Sequence, residues 1–338
     1  MVGGSNPSGP TKLLSSIRRP VHFDRYGIRS HEVEKYLHLK MVVRACLALS
    51  SSLSSYTFGD RRLTRLVILL AFIVPATLHA QDSFFSKWEA RTSATQSRQP
   101  AWTPPLVTTF VGLIQVYRTD FVRQTNPALA TTWNYDSSKG LNLIPWANTE
   151  IDINLPPYFQ HSSPATLNGA GDMSFLVKYR ILTGNTENGN YIWSIGLPIT
   201  IPTGSHKNGS TNASITPTMG FGKGYGHFDL QTTLCATLPT GNTVKLGRPI
   251  AWNTTAQYRL GKYFWPELES NATYFHGGPN DGKSQEFITP GLLLGKFSLR
   301  PSDPKSRLGF GFGAGEQIAT SKFHAYNHGL IFTGRLLF

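Results

Sequence analysis

The sequence predicts an all-β protein, an antiparallel up-and-down transmembrane β-barrel of about 12 strands, on three observations. The last ten residues alternate apolar and polar positions to the end of the chain. Upstream, segments of about ten residues repeat that alternation between turns rich in Gly, Pro, Asn and Asp. Trp, Tyr and Phe gather at the ends of those segments, as in the aromatic girdles of membrane barrels.

In the closing segment Leu330, Phe332, Leu336 and Phe338 share one face at period two. Thr333 and Arg335 lie on the other face with Ile331 and Leu337. An unprotected apolar edge strand invites pairing with other chains, and barrel closure removes the edge. Phe332, Leu336 and Phe338 are then expected to face lipid, and the terminal aromatic resembles the assembly signal of bacterial outer-membrane barrels. A soluble β-sandwich is the competing architecture. It rarely leaves so many aromatic residues at strand ends, here Trp146, Tyr158, Tyr191, Trp193, Trp252, Tyr258, Tyr263, Phe264, Trp265 and Tyr274.

Composition limits the function classes. The 338 residues are 12% aromatic and 15% charged, with 32 Gly and 22 Pro, which argues against disorder. The net charge of +13 is concentrated early: residues 1–80 hold 11 Lys/Arg and 4 Asp/Glu, leaving a net +6 for the remainder. The later basic residues are scattered, so no nucleic-acid partner is expected. Cys46 and Cys235 form neither a zinc nor a redox motif, and no cofactor is implied.

Residues 61–80 read as a signal peptide. Arg61, Arg62 and Arg65 precede the apolar run Leu66–Val74, and Leu78-His79-Ala80 leads to Gln81, with cleavage expected near Ala80. The apolar core is shorter than the roughly 20 residues a spanning helix needs. Residues 1–60 show no sustained apolar pattern and read as a mis-assigned start or a disordered leader, the true start lying nearer Met41 or Leu63. Residues 81–105, broken by Pro100, Pro104 and Pro105, are expected to form an N-terminal periplasmic segment, and residues 106–338 the barrel.

Strands then follow in order. Phe110–Arg118 is a first strand of weak alternation. Over Gly140–Leu155, Thr149, Ile151, Ile153 and Leu155 oppose Asn148, Glu150, Asp152 and Asn154, up to Pro156-Pro157. Asp172–Leu182 sets Phe175, Val177, Tyr179 and Ile181 against Ser174, Lys178 and Arg180. Tyr191 to Ile199 alternates toward Pro202-Thr203-Gly204, and Asn212–Gly222 is next. His227–Leu238 sets Phe228, Leu230 and Leu234 against Asp229, Gln231 and Thr233. Trp252, Ala256 and Tyr258 oppose Asn253, Thr255, Gln257 and Arg259. Phe264, Leu268 and Ala272 oppose Glu267, Glu269 and Asn271. Ile288–Leu294, Leu308–Ala314 and the closing strand bring the count to eleven. Single-chain bacterial barrels have even numbers, so a twelfth strand is expected near 119–135 or 316–325.

The motifs for catalysis are weak. Ile192-Trp193-Ser194-Ile195-Gly196 lacks the first Gly of a nucleophile elbow and sits mid-strand. Gly220-Phe221-Gly222-Lys223-Gly224 lacks the ending of a phosphate loop and reads as a hairpin turn. His324 and His328 are close in sequence without a helix to align them, so no metal site is expected. Gly309, Gly311, Gly313 and Gly315 fit close packing of the wall, or a smooth constriction. The lumen-lining candidates are Glu150, Asp152, Lys178, Arg180, Asp229, Gln231, Arg259, Glu267 and Glu269. Glu150 and Asp152 opposite Lys178 and Arg180, and Glu267 and Glu269 opposite Arg259, would form ion pairs across the wall; the alternative is that they set pore selectivity.

Gly140-Leu141-Asn142-Leu143-Ile144-Pro145, Asn154-Leu155-Pro156-Pro157-Tyr158, Gly171-Asp172 leading to Lys178-Tyr179-Arg180, and Pro202-Thr203-Gly204 carry a resemblance. From about Leu106 to Phe338 the chain resembles the bacterial outer-membrane β-barrel family named for a meta-pathway of phenol degradation. The resemblance implies a barrel and a transporter, and no catalytic residues. The expected function is therefore passive uptake of a small compound, hydrophobic or aromatic among the candidates, across the outer membrane. The expected partners are outer-membrane lipid, the barrel-assembly machinery and a small-molecule solute. A structural or interaction barrel with a plugged lumen is the alternative, and a lipid-modifying membrane enzyme a further one.

Overall fold

The computed structural model describes residues 84–303 and 306–338; the expected leader and signal peptide lie outside the described residues. A helix, α1, spans residues 84–97. The strands are β1 (Val116–Thr125), β2 (Thr131–Asp136), β3 (Gly140–Trp146), β4 (Thr149–Asn154), β5 (Tyr158–His161) and β6 (Gly169–Ala170). They continue with β7 (Met173–Gly184), β8 (Tyr191–Ile201), β9 (Ser214–Ile215), β10 (Thr218–Tyr225), β11 (Phe228–Ala236) and β12 (Leu238–Pro239). The last are β13 (Ile250–Tyr258), β14 (Phe264–Tyr274), β15 (Ser284–Ser298), β16 (Gly309–Ala319) and β17 (His328–Leu337).

These segments make twelve antiparallel staves of a closed barrel. Five staves are interrupted strands: β2 with β3, β4 with β5, β6 with β7, β9 with β10 and β11 with β12. Prolines mark several of the breaks, among them Pro156-Pro157 and Pro217, because a proline cannot donate to the ladder. The ring closes where β1 pairs with β17, from Val116 opposite Leu337 to Thr125 opposite His328. Closure gives the apolar ending its partner, and no long edge strand is left.

Three assignments change. Gly140–Leu155 is a hairpin, not one strand: β3 and β4 turn at Ala147-Asn148, with Leu143 opposite Ile151. That division, with β2 running on into β3, supplies the twelfth strand. The run Phe110–Gln115 is not in the wall, since β1 begins only at Val116. The Gly220–Gly224 run, read above as a turn, lies within β10.

Side chains alternate strictly across the wall. On β17 Leu330, Phe332 and Leu336 are exposed, while Ile331, Thr333 and Arg335 are buried. On β14 Phe264 and Leu268 are exposed, and Trp265, Glu267, Glu269 and Asn271 are buried. The outer face is thus apolar and the inner face polar, the reverse of a soluble protein. Trp146, Tyr158, Trp193, Trp252, Tyr258, Phe264 and Tyr274 are exposed near stave ends; Trp265, expected among them, points inward instead.

The interior is filled by the residues that precede β1. Helix α1 lies at the end where β1 starts and β17 stops. There the Trp88 indole donates to Gln115, the Gln115 amide donates to the Phe338 carbonyl, and the Arg307 guanidinium donates to Gln96. Residues 98–115 then pass through the lumen as an irregular loop, and Leu106, Val111, Leu113 and Ile114 are buried there. The expected boundary between a leader ending at Pro105 and a wall beginning at Leu106 therefore gives way to one continuous inner segment. Backbone without regular structure persists at membrane depth only when protein surrounds it.

The hairpin β3–β4 depends on close approach at Gly140, where an added Cβ would lie 2.1 Å from the Ile153 carbonyl oxygen. Gly334 is open, its nearest atom being 3.7 Å away on Thr119. Gly140→Ala is expected to cost about 1–3 kcal/mol, lowering the heat-modification temperature by roughly 2–10 °C. Gly334→Ala should leave it within about 2 °C. Gel migration after graded heating checks both, and equal behaviour of the two variants contradicts the hairpin.

Candidate functional site: a lumen occupied by its own chain

The acidic candidates are set by neighbouring strands. Glu150 on β4 is directly opposite Lys178 on β7, and the Lys178 ammonium is 2.6 Å from its carboxylate with both side chains buried. Asp152 is opposite Leu176, so the expected Asp152–Arg180 pairing does not form. Arg180 instead donates to the Thr95 carbonyl, to Gln99, and to Ala147 and Asn148 at the β3–β4 turn. On β11 Asp229 accepts from Gln231, whose amide also reaches Gln257; all three are buried.

Arg259 is a correction. β13 ends at Tyr258, which leaves Arg259 exposed in the turn before β14, out of reach of the inner face. The register sets Gln257 opposite Glu267 and Thr255 opposite Glu269. Gln257 donates to Glu267 at 2.7 Å and Thr255 to Glu269 at 3.1 Å. Of the assembly candidates, Phe332 and Leu336 stand on the outer face, and Phe338 follows β17 half-buried.

The remaining capacity of these groups goes to the inner segment. The Leu106 amide donates to Glu267 at 3.1 Å. The Val107 and Thr108 amides donate to the two oxygens of Glu269 at 2.8 and 2.6 Å. On the opposite side Arg335 donates to the carbonyls of Pro104 and Pro105, and Arg118 to those of Pro105 and Leu106. A few residues later the Ile114 amide donates to Glu150 and Lys178 donates to the Gly112 carbonyl. The Gln99 side chain joins the two limbs of the loop by pairing with both the amide and the carbonyl of Leu113. Carboxylates thus hold the loop's N–H groups and cations hold its carbonyls. Such charge-assisted bonds are worth about 1.5–3 kcal/mol each, more than neutral ones.

Apolar knobs complete the fit. Leu106 sits among Val122, Trp265, Leu293 and Ile331. Its Cδ1 lies where a Cβ on Gly291 or Gly315 would be, 2.5 and 2.6 Å away. Trp102 and Val111 rest on Gly222 in the same way, at 2.5 and 3.0 Å. Gly315, Gly220 and Gly222 are therefore clearance for the inner segment, while Gly313 makes room for Leu293 and Gly224 for Asn190, which favours close packing for the stripe over a smooth constriction.

Arg118, Arg335, Gln99 and Leu106 were missed as site residues. Arg335 alternates with lipid-facing Leu and Phe, and that position carried the available signal. Arg118 ends the expected first strand, whose weak alternation assigns it no face, while Gln99 lies in the Pro-rich segment that reads as a leader and Leu106 directly follows it. At the far end, Tyr326 from the β16–β17 loop stacks on Phe287 at 4.4 Å and donates to Gln317. Burial pushes its phenol up to about 12. His324 is hydrogen-bonded to the Ser321 carbonyl and to Asn327. Among the described residues no three His, Cys, Asp or Glu side chains form a metal-binding group.

Among solved structures, the chain is similar to an outer membrane channel from Pseudomonas putida F1 at 13% identity and a TM-score of 0.48, covering 70% of this chain and 100% of that one. It is also similar to the NanC porin at 8% identity and a TM-score of 0.43, covering 66% and 98%. No curated protein sequence matches it. A family profile matches residues 100–295, from inside the inner segment through most of β15, which is more than half of the chain. The chain belongs to the family described as "Putative MetA-pathway of phenol degradation".

Proposed function

We propose that this protein is an outer-membrane channel for a small hydrophobic or aromatic compound, gated by the inner segment. The observation that carries the reading is the inversion of polarity across a closed wall around a removable filling. An apolar exterior flanked by aromatic residues suits lipid. The filling is held by side-chain hydrogen bonds and by no strand pairing, so it can leave without breaking the barrel. Its position directly ahead of β1 gives it a hinge near Gln115.

Residues 61–80 direct export in this reading, with cleavage near Ala80. Protein recovered from outer membranes should begin at Gln81 by mass spectrometry; a start within residues 1–60 contradicts it.

The gate predicts a direction for mutants. Glu269→Ala leaves the Val107 and Thr108 amides without acceptors, at about 1–3 kcal/mol each, which is enough to raise the open fraction tenfold or more. Solute entry into liposomes, or conductance in planar bilayers, should rise by about that factor over the parent protein. The filled lumen also favours a second reading, a structural barrel permanently plugged. Glu269→Ala protein that stays closed to every solute supports that alternative and removes the channel.

A further inference from the structure

We propose that the inner wall at β8, β10 and β11 binds a hard, calcium-sized cation through the side-chain oxygens of Asn190, Asp229 and Gln231. The ladder brings these residues together. β10 pairs with β11 so that Gly224 is opposite Asp229 and Gly222 is opposite Gln231. Asn190, directly ahead of β8, accepts the Gly224 amide on its carbonyl and so extends the same row by one stave. Its carboxamide fills the space that a side chain at 224 would take, with Oδ1 2.9 Å from where a Cβ would stand. Opposed residues on one face have Cβ atoms about 5 Å apart, which brings the Asn190 oxygen within reach of Asp229. The row lies beside the mouth where α1 sits, since Asn185 in the turn before β8 donates to the Ser97 carbonyl.

Hydrogen bonding decides which atoms remain for a ligand. The Gln231 nitrogen donates to Asp229 Oδ1 at 3.0 Å and to Gln257 at 3.2 Å, and the Gln257 nitrogen donates to Glu267 at 2.7 Å. Carboxylates only accept, so Asp229 and Glu267 fix the orientation of both glutamines. Both hydrogens of the Gln231 amide are then used, and its oxygen is turned out of the chain. Asp229 Oδ2, Gln231 Oε1 and Asn190 Oδ1 are left as buried acceptors without a donor. All three residues are at most 8% exposed. Glu150 has Lys178 and Asp120 has Arg118, whereas among the described residues Asp229 forms no ion pair. A buried carboxylate without a partner is costly, and a bound cation removes that cost. One carboxylate with two carboxamide oxygens is a hard donor set of irregular geometry. That suits Ca²⁺, which tolerates such sites, better than Mg²⁺, which demands an octahedron. Such a site exists whether or not the lumen opens.

Tb³⁺ serves as the probe, because it takes the same oxygen ligands as Ca²⁺ and its emission is excited through a nearby indole. Trp102 supplies that indole, packed on Gly222 opposite Gln231. Full-length protein in detergent, cleared of metal by chelation, should give Tb³⁺ emission that Ca²⁺ displaces about tenfold more effectively than Mg²⁺. Asp229→Asn keeps the acceptor for Gln231 and should weaken binding about tenfold or more. Asn190→Asp adds a second carboxylate and should tighten it about tenfold. Trp102→Phe should lose most of the emission while keeping Ca²⁺ binding by equilibrium dialysis. Heat-modifiable migration verifies that each variant barrel has folded. Unchanged emission in Asp229→Asn places the ion elsewhere and overturns the site. Unchanged affinity in Asn190→Asp overturns the three-oxygen arrangement. A parent protein without emission that Ca²⁺ displaces holds only water at these oxygens, which overturns the proposal as a whole.

Discussion

Backbone without regular structure cannot be left bare inside a barrel wall. Residues 98–115 carry an N–H or C=O at nearly every step and form no ladder with the staves. Unpaired, each such group costs a kilocalorie or more, and a segment of this length would leave the lumen. What keeps it there is a row of charged side chains arranged by sign: Glu150, Glu267 and Glu269 toward amides, and Lys178, Arg118 and Arg335 toward carbonyls. The lumen charges are thus explained by a third party, the chain itself, more than by pairing across the wall.

Other features follow from that arrangement. The inner faces of β10, β15 and β16 need glycines where Trp102, Val111 and Leu106 press against them, and the same glycines would weaken strands with no such load. Arg180 is freed from the wall pairing expected of it and ties helix α1 to the β3–β4 turn. The segment is held by charge-assisted hydrogen bonds and by apolar packing, with no strand pairing. Strand pairing and lumen filling draw on different interactions, so the wall does not depend on the segment's bonds for its own closure.

The barrel was legible in the sequence because period-two alternation is a strong local signal when one face meets lipid and the other does not. The closing strand, β7, β11 and β14 were read with their faces correctly assigned. The β3–β4 turn was hidden because Trp146-Ala147-Asn148-Thr149 lacks the Gly or Pro that marks most of the other turns, and both arms carry the same alternation. The inner segment was not legible, since its apolar residues follow no period: Leu106 is placed largely by Trp265, Leu293 and Ile331, and Val111 by Gly220 and Gly222, on strands more than a hundred residues away. Arg259 failed for a related reason. Alternation extended one residue past the end of β13 and so assigned a turn residue to the lumen.

Residues 98–115 are held in the lumen by specific amide and carbonyl contacts. Hydrogen–deuterium exchange of the protein in lipid nanodiscs measures this most directly. The account predicts slow exchange at the amides of Leu106, Val107, Thr108, Leu113 and Ile114, comparable to strand amides of β1, with faster exchange at Thr109, which is exposed. Exchange at all of these positions as fast as in an unfolded peptide would contradict it.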